Sequence, residues 1–317
     1  MSASSTTTKP TAPPRATGTD SRKRSAVMYP HNRPAWLFLA PFALFYLLFL
    51  IWPTIYMIVA SFFNTSLVRP GLGSFAGLQN YQEMLTKDEF WSSLWHTLQF
   101  TLYTVPLLVV LAFVFAILVN RLKRGQALFR VAFFLPFILP SATISLIWLF
   151  IFTPGNGLLA LVQGWFGVDA SQPVLATPNL AMVGIALATI WWTLGFNFIL
   201  YLAALQDVPR ETYEAASVDG ASPWQQIRYI TIPLLRRTTS LVIVLQIISS
   251  LKIFDQVYLM TSGGPGTSTQ VTLGLITTTA FTDYRAGAAS AASVLLFIVI
   301  IAVAAIQQLT ERSNRTV

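Results

Sequence analysis

Side chains that commonly carry out catalysis are scarce in this 317-residue sequence. Its two histidines are His31 and His96, and the lack of cysteine excludes disulfides, thiolate nucleophiles and cysteine-ligated metals. The sequence patterns HExxH, GxSxG and GxxxxGK[ST], and paired aspartates within an apolar segment, are also missing. The glycine-rich run Gly263–Gly266 lacks the lysine of a phosphate-binding loop and is typical of a turn. We therefore expect no enzyme and no cofactor in this chain, and ATP hydrolysis only by a partner.

Composition places the chain in a membrane. Hydrophobic residues make up 54% of the sequence and charged residues 10%, and the mean hydropathy is +0.62. Soluble domains carry about 25% charged residues. The apolar residues form blocks long enough to cross a lipid bilayer as helices. The sequence thus predicts an all-α polytopic membrane protein with six transmembrane helices, at about residues 36–63, 98–119, 131–152, 180–205, 239–260 and 288–306.

Lysine and arginine predict the orientation of these spans. Sixteen lie on one side: six in the N-terminal tail, four in 120–130, four around 207–236 and two near the C-terminus. The other side carries Arg69, Lys87 and Arg285. Because cytoplasmic loops are rich in these residues, we expect both termini in the cytoplasm. The net charge of +8 is then explained by the flanks of the spans, and no nucleic-acid surface is expected.

The predicted domain organisation follows from these boundaries. Residues 1–33, rich in Ser, Thr, Pro and basic residues, form an uncleaved, disordered cytoplasmic tail. Residues 34–310 form one transmembrane domain, and residues 311–317 form a short cytoplasmic tail.

A polar interruption at residues 207–236 separates the fourth and fifth spans. Gly220 suits the left-handed end of a first short helix. Ser222, Pro223 and Gln225 have the spacing of a capping box that starts a second helix, and Pro233 ends or kinks that helix. By these features alone, the hairpin is as compatible with an ordinary polar loop as with a docking surface for another protein.

The residues of this hairpin closely resemble the EAA loop of permeases from ATP-binding-cassette importers. The family pattern is EAA, three residues, G, nine residues and I-x-L-P, and here it reads Glu214-Ala215-Ala216, Gly220 and Ile230–Pro233, with Ile232 in place of leucine. The stretch 254–265, FDQVYLMTSGGP, is similar to the end of the fifth span in carbohydrate-uptake permeases of the maltose-F and glycerol-phosphate-A type.

The resemblance implies the partners and the mechanism. It implies a second permease subunit, two ATPase subunits that bind ATP and Mg²⁺, and an extracytoplasmic solute-binding protein that delivers a sugar across the bacterial cytoplasmic membrane. It also implies that closure of the ATPase pair moves the hairpins and opens the pore outward. The residues implied to couple this chain to an ATPase are Glu214, Ala215, Ala216, Asp219 and Gly220.

Polar residues within the spans suggest a substrate pathway. Gln246, Ser249, Ser250 and Ile253 lie on one face of the fifth span at helical spacing. That face could line a wet cavity or hold helices together by hydrogen bonds, and the family resemblance favours the cavity. In the fourth span, aromatic side chains could stack on a sugar or serve packing equally well; the candidates are Gly195, Phe196, Asn197 and Phe198, with Trp192 one turn away.

The fifth span carries two charged residues near its outer end. Lys252 and Asp255, three residues apart, are expected to pair with each other rather than bind substrate. The mostly neutral polar face favours an uncharged sugar. The alternatives are an importer of glycerol-phosphate or a polyol, and, from other classes, a secondary carrier or channel, or a membrane enzyme. Neither an ion relay nor a catalytic constellation is visible within the spans.

Overall fold

The computed structural model describes residues 33–69, 71–122, 124–167 and 173–313. The predicted tails at 1–33 and 311–317 therefore lie largely outside the described residues. The described part is mostly helical, and its β-pairing is limited to one isolated antiparallel bridge between Phe63 and Phe75. The chain divides after Pro53 into two compact units, and the cavity and hairpin described below belong to the second.

The helices keep the order that the sequence predicts. They are α1 (Arg33–Tyr46), α2 (Trp52–Ala60), α3 (Gln79–Thr86), α4 (Asp88–Asn120), α5 (Gln126–Ile138), α6 (Ser141–Ile151), α7 (Leu158–Trp165), α8 (Pro178–Gln206), α9 (Arg210–Val218), α10 (Pro223–Gln226), α11 (Ile232–Leu234), α12 (Arg236–Leu251), α13 (Asp255–Thr261), α14 (Thr272–Thr277) and α15 (Ala286–Ser313). Four stretches of the described helices are long and apolar enough to cross a membrane, and the number rises to six if each of two bent helix pairs, at 126–151 and 223–251, is one span.

Three π-helical turns occur among the described residues, and two of them lie just before a proline. One covers Leu47–Ile51 before Pro53, and the other covers Ile227–Thr231 before Pro233. Proline has no N–H to give to the carbonyl four residues earlier. The residue before each proline instead donates to the carbonyl five residues earlier, which widens the turn and keeps the chain helical.

The third and fifth spans are broken, where the sequence predicted continuous helices. The axes of α5 and α6 differ by 98° across Leu139 and Pro140. Helix α12 ends at Leu251 rather than near Met260, and residues 252–254 separate it from α13. Proline disfavours a helical conformation for the residue before it, and Leu139 is accordingly extended, with ψ of 143°. Phe254, with φ of −148°, leaves helical geometry at the second break.

Helices α4 and α8 pack against each other at the centre of the second unit. One buried cluster joins α4 to the second half of α8, where Ala112 and Ala116 of α4 let the backbones come close. A second cluster joins the first half of α8 to α13 around Phe100, Ile185 and Val257. Between the two clusters, polar side chains replace apolar ones, and the cavity described below lies there.

Helix α3 joins the segment that follows α2 to Arg285, the residue before α15. Asn80 Nδ2 donates to the carbonyl oxygens of Ser61 and Phe63 at 2.9 and 3.0 Å. Arg285 donates from both terminal nitrogens to the carboxylate of Glu83, and Lys87 lies 2.8 Å from the same group. Hydrogen bonds from Arg285 and then Lys87 lower the pKa of Glu83 from 4.5 to about 2.

We expect Glu83→Gln to remove part of the acid sensitivity of folding. Because the folded pKa lies below the unfolded value, the stabilisation is complete above pH 4.5 and is lost as the pH falls toward 2. The wild type should therefore lose more thermal stability in detergent between pH 7 and pH 3 than the variant does. Glu89→Gln, a carboxylate without an ion pair among the described residues, is the matched control. Equal losses in wild type and Glu83→Gln would contradict this role.

Candidate functional site

The hairpin at 207–236 is capped at its turn by two interlocking motifs. Helix α9 ends in a Schellman motif: Ala221 N–H donates to the Ala216 carbonyl and Gly220 N–H to the Ser217 carbonyl, at 2.9 and 3.1 Å. Gly220 adopts the predicted left-handed conformation, with φ of +81°. Helix α10 begins with the predicted capping box between Ser222 and Gln225. The sequence signals for this turn are therefore confirmed.

Side-chain hydrogen bonds fix the two arms of the hairpin to each other. The hydroxyls of Tyr213 on α9 and Thr231 at the end of the second arm lie 3.1 Å apart. Gln226 Nε2 donates to Ser217 Oγ at 2.9 Å. Thr231 is buried, which anchors this end against the membrane bundle. The hairpin is thus a preformed unit.

The turn end of the hairpin, called the tip below, is exposed. Glu214, Ala215, Asp219 and Gly220 are exposed and Ala216 is half-buried. The side chains of Val218, Trp224 and Tyr229 are also exposed, to 88%, 70% and 73%. The sequence predictions did not single out these three apolar side chains, although a large apolar residue in a polar loop is itself a signal for a protein contact.

A cavity of about 220 Å³ lies among α4, α8, α12 and α13. Its walls combine hydroxyl, amide and aromatic side chains with one ammonium and one carboxylate group. The lining residues are Phe100, Thr104, Leu108, Thr189, Trp192, Thr193, Gln246, Ser249, Ser250, Lys252, Ile253, Phe254, Asp255 and Gln256.

The four predicted fifth-span residues all line this cavity. Gln246, Ser249, Ser250 and Ile253 fall on the face of α12 and the following break that points to α4 and α8. Gln246 is also bound to the bundle, because its Nε2 donates to Asn197 Oδ1 at 3.0 Å. This face therefore combines the two alternatives that the sequence left open, since one residue both lines the cavity and joins two helices.

The four predicted fourth-span residues lie outside the cavity lining. A Cβ on Gly195 would overlap the carbonyl oxygen of Phe133 on α5, so this glycine allows close helix packing. Phe196 stacks on Phe137 with ring centres 5.1 Å apart, and Phe198 is fully buried. Asn197 is fully buried behind Gln246.

The cavity face of α8 lies instead at Thr189, Trp192 and Thr193. Their spacing of three and four residues is a helical-face pattern that the sequence carried. The indole Nε1 of Trp192 donates to the carbonyl of Leu139 at 3.1 Å. That bond holds the Trp192 ring in place and satisfies a backbone group at the break between α5 and α6.

The predicted ion pair between Lys252 and Asp255 is absent from the described residues, whose ion pairs are those of Glu83. Asp255 Oδ2 instead accepts a hydrogen bond from Ser141 Oγ at 2.8 Å. Ser141 is the first residue of α6 and Asp255 the first of α13, so this bond joins the two broken spans. Sequence spacing favoured the local partner, but the break at residues 252–254 interrupts the helix on which that prediction depended.

Clusters of metal-binding side chains were sought throughout the described part of the chain. Within the described residues, no three His, Asp or Glu side chains lie close enough to hold a metal ion. The cavity offers hydrogen bonds, aromatic surface and two opposite charges, which suit reversible binding of a polar molecule.

Six potential spans, a capped polar hairpin and a polar cavity among the spans define a membrane transport component. The protein family described as "Binding-protein-dependent transport system inner membrane component" matches this chain over residues 70–316, which is more than half of its length. The chain therefore belongs to this family. Its transport role and membrane location agree with the predictions from the sequence.

Individual relatives cover most of the chain. The trehalose/maltose transport system permease protein MalF of Thermococcus litoralis is 34% identical over 72% of this chain and 76% of its own length. The sulfoquinovosyl glycerol transport system permease protein SmoG of Agrobacterium fabrum is 34% identical over 85% of this chain and 87% of its own. A crystal structure of a bacterial alginate ABC transporter, in complex with a periplasmic protein that binds an alginate pentasaccharide, contains a chain with the same fold. Its TM-score is 0.79 at 21% identity, covering 89% of this chain and 95% of that one.

Proposed function

We propose that this chain is a permease subunit of a binding-protein-dependent importer that moves a sugar across the cytoplasmic membrane of a bacterium. It pairs with a second, different permease, and two ATPase subunits that bind ATP and Mg²⁺ drive the pair. An extracytoplasmic solute-binding protein delivers the sugar. Both termini and the hairpin face the cytoplasm, as the sixteen-to-three distribution of Lys and Arg favours.

The observation that carries this proposal is the preformed hairpin. Two short helices are locked to each other by caps and side-chain bonds, while the tip stays exposed. Glu214 offers a carboxylate to a basic residue of the ATPase, and the small side chains of Ala215 and Ala216 allow a partner surface to approach closely. The exposed Val218 and Trp224 supply apolar contact area at the same tip.

The cavity supports the transport part of the proposal. Both halves of the broken fifth span, α12 and α13, line it, and its polar groups come from α4, α8, α12, α13 and the break at 252–254. Half-helices that end inside a bundle are typical of transporter binding sites, because their free backbone groups and polar side chains face the pathway. A sugar is favoured because permeases similar to this chain include those named for trehalose/maltose and for sulfoquinovosyl glycerol.

The experiment is uptake into vesicles that contain this chain, the second permease and the ATPase encoded with it. We expect uptake of labelled sugar that requires both ATP and the loaded solute-binding protein. Vesicles in which the ATPase carries a disabled catalytic residue are the control. Uptake that proceeds without ATP or without the ATPase would favour a secondary carrier or channel and would refute the proposal.

A further inference from the structure

A second cavity, of about 210 Å³, lies between the hairpin and the ends of two spans, and we call it the hairpin cavity. The end of α4 lines it through Ile117, Asn120 and the capping residue Arg121, and the last turn of α8 lines it through Leu205. Residues of both hairpin arms close the other side. It shares no lining residue with the cavity among α4, α8, α12 and α13. It therefore lies at the joint between the hairpin and the membrane bundle.

The α4 side of the hairpin cavity offers unused hydrogen-bond donors. Asn120 and Arg121 bond to other described residues through their backbone groups, and their side chains have no partner within the described part of the chain. The guanidinium of Arg121 carries five N–H donors in a planar fork, which matches two oxygens of a phosphate or carboxylate. The amide of Asn120 adds two donors and one acceptor. These groups are therefore available to a molecule in the cavity.

The hairpin side of the same cavity offers acceptors. Both protons of Gln226 Nε2 are used, by Ser217 Oγ at 2.9 Å and the Ala221 carbonyl at 3.3 Å, which leaves Gln226 Oε1 as an acceptor. Thr231 donates its hydroxyl proton to the Gln226 carbonyl at 3.3 Å, so Tyr213 is the donor in its bond to Thr231 Oγ1. The Tyr213 oxygen keeps its lone pairs. The best-matched ligand thus has acceptors at one end and O–H donors at the other.

Charge and size narrow the ligand further. Among the described lining residues, Arg121 is the charged one. The connection 120–130 carries four basic residues and no acidic one, whereas 207–237 carries four of each. The C-terminal ends of α4 and α8 each add about half a negative charge, so the bases of the connection outweigh them. At about 210 Å³, the cavity is smaller than the roughly 300–1,000 Å³ of pockets for drug-sized molecules, which favours a small anion.

We propose that the hairpin cavity binds a phosphate group through Arg121 and Asn120, and hydroxyl groups of the same ligand through Gln226 and Tyr213. Two sources share this chemistry: a soluble sugar or polyol phosphate, and the headgroup of phosphatidylglycerol. Because such a ligand contacts α4 and both hairpin arms at once, it holds the hairpin against the spans. The site goes beyond the proposed function, since it acts on the position of the hairpin and not on the transported sugar.

The test is binding to the membrane complex that is purified through a tag on the full-length chain, without nucleotide. Equilibrium dialysis of labelled glucose 6-phosphate against the complex in phosphatidylcholine nanodiscs measures the soluble source. Native mass spectrometry over a range of phosphatidylglycerol concentrations measures the lipid source. We expect at least one source to bind, and Arg121→Gln to raise the concentration needed for half-occupancy about tenfold, the factor expected from one charged hydrogen bond.

Arg124→Gln is the matched control, because Arg124 is exposed in the same connection but does not line the cavity. Binding that Arg121→Gln weakens and Arg124→Gln does not supports the site, and the arm that shows it identifies the source. Equal weakening by the two substitutions, or no binding that depends on Arg121 in either arm, overturns the proposal. Vesicle uptake decides the proposed function separately, so the two failures are distinguishable.

The hairpin side of the site is tested with ligands of equal charge that lack hydroxyl groups. Methyl phosphate replaces glucose 6-phosphate, and phosphatidylmethanol replaces phosphatidylglycerol. Each should bind roughly two- to tenfold less tightly than its hydroxyl-bearing counterpart, the factor expected from one neutral hydrogen bond. Equal or tighter binding of the ligand without hydroxyls would overturn the role of Gln226 and Tyr213.

Discussion

Vesicles that carry Gly220→Val are expected to lose most ATP-driven uptake, while the variant still inserts into the membrane and assembles. Gly220 has φ of +81°, and its N–H closes the cap of α9 on the Ser217 carbonyl. A left-handed conformation costs a residue with a side chain about 1–2 kcal/mol, and more for a β-branched one. Since a Cβ at this position meets no atom of the chain within 4 Å, the damage falls on the angle of the hairpin rather than on packing.

The size of this effect follows from the backbone penalty. If the hairpin is correctly shaped in a smaller fraction of molecules, uptake falls by the same fraction, roughly tenfold for every 1.4 kcal/mol. Gly125→Val is the matched control: Gly125 also has a positive φ, of +83°, and free space around its Cβ, but it lies in a different loop. Similar uptake in the two variants would show that the geometry of the hairpin does not govern coupling.

A second large effect is expected from Gly195→Ala, which should reduce the yield of folded protein and lower its melting temperature in detergent. The added Cβ would overlap the Phe133 carbonyl, and neighbouring backbone atoms of α5 lie almost as close. Backbone cannot move aside as a flexible side chain can, so α5 and α8 must separate. Overpacking of this kind typically costs about 1–3 kcal/mol and occasionally more.

The same variant separates two roles for this glycine. Gly195 was a candidate for the substrate pathway, and a pathway role predicts altered sugar binding in a protein of normal stability. A packing role predicts lower stability in every condition, with or without sugar. Gly164→Ala is the control, because Gly164 lies in α7 with open space around its Cβ. A melting temperature equal to that of the wild type would contradict the packing role.

Features that depend on one short stretch of chain can be predicted from the sequence. The positions of the apolar spans follow from composition, and the hairpin caps follow from the spacing of a few residues within one stretch of chain. Both could therefore be predicted. The break at Pro140 was not, because proline in a membrane helix is often accommodated by a kink. Here the break is stabilised by Trp192, more than fifty residues away along the chain.

The candidate site divides in the same way. The polar face of α12 was visible because Gln246, Ser249 and Ser250 stand out against an apolar background. Helix α8 is apolar on most of its surface, so its sequence did not show whether Phe196 or Thr193 faces the cavity. The partner of Asp255 depends on where two broken spans meet, and neighbouring residues along the chain do not contain that information.

Contact between the hairpin tip and an ATPase subunit is measured most directly by cross-linking. Because the chain has no cysteine, Val218→Cys introduces a single thiol on a side chain that is 88% exposed. A photoreactive maleimide attached there should give an adduct between this chain and the ATPase in membranes of the assembled complex. Leu67→Cys, exposed on the opposite predicted face, should give none. No ATPase adduct from Val218→Cys in an active complex, or an equal yield from Leu67→Cys, would contradict the account.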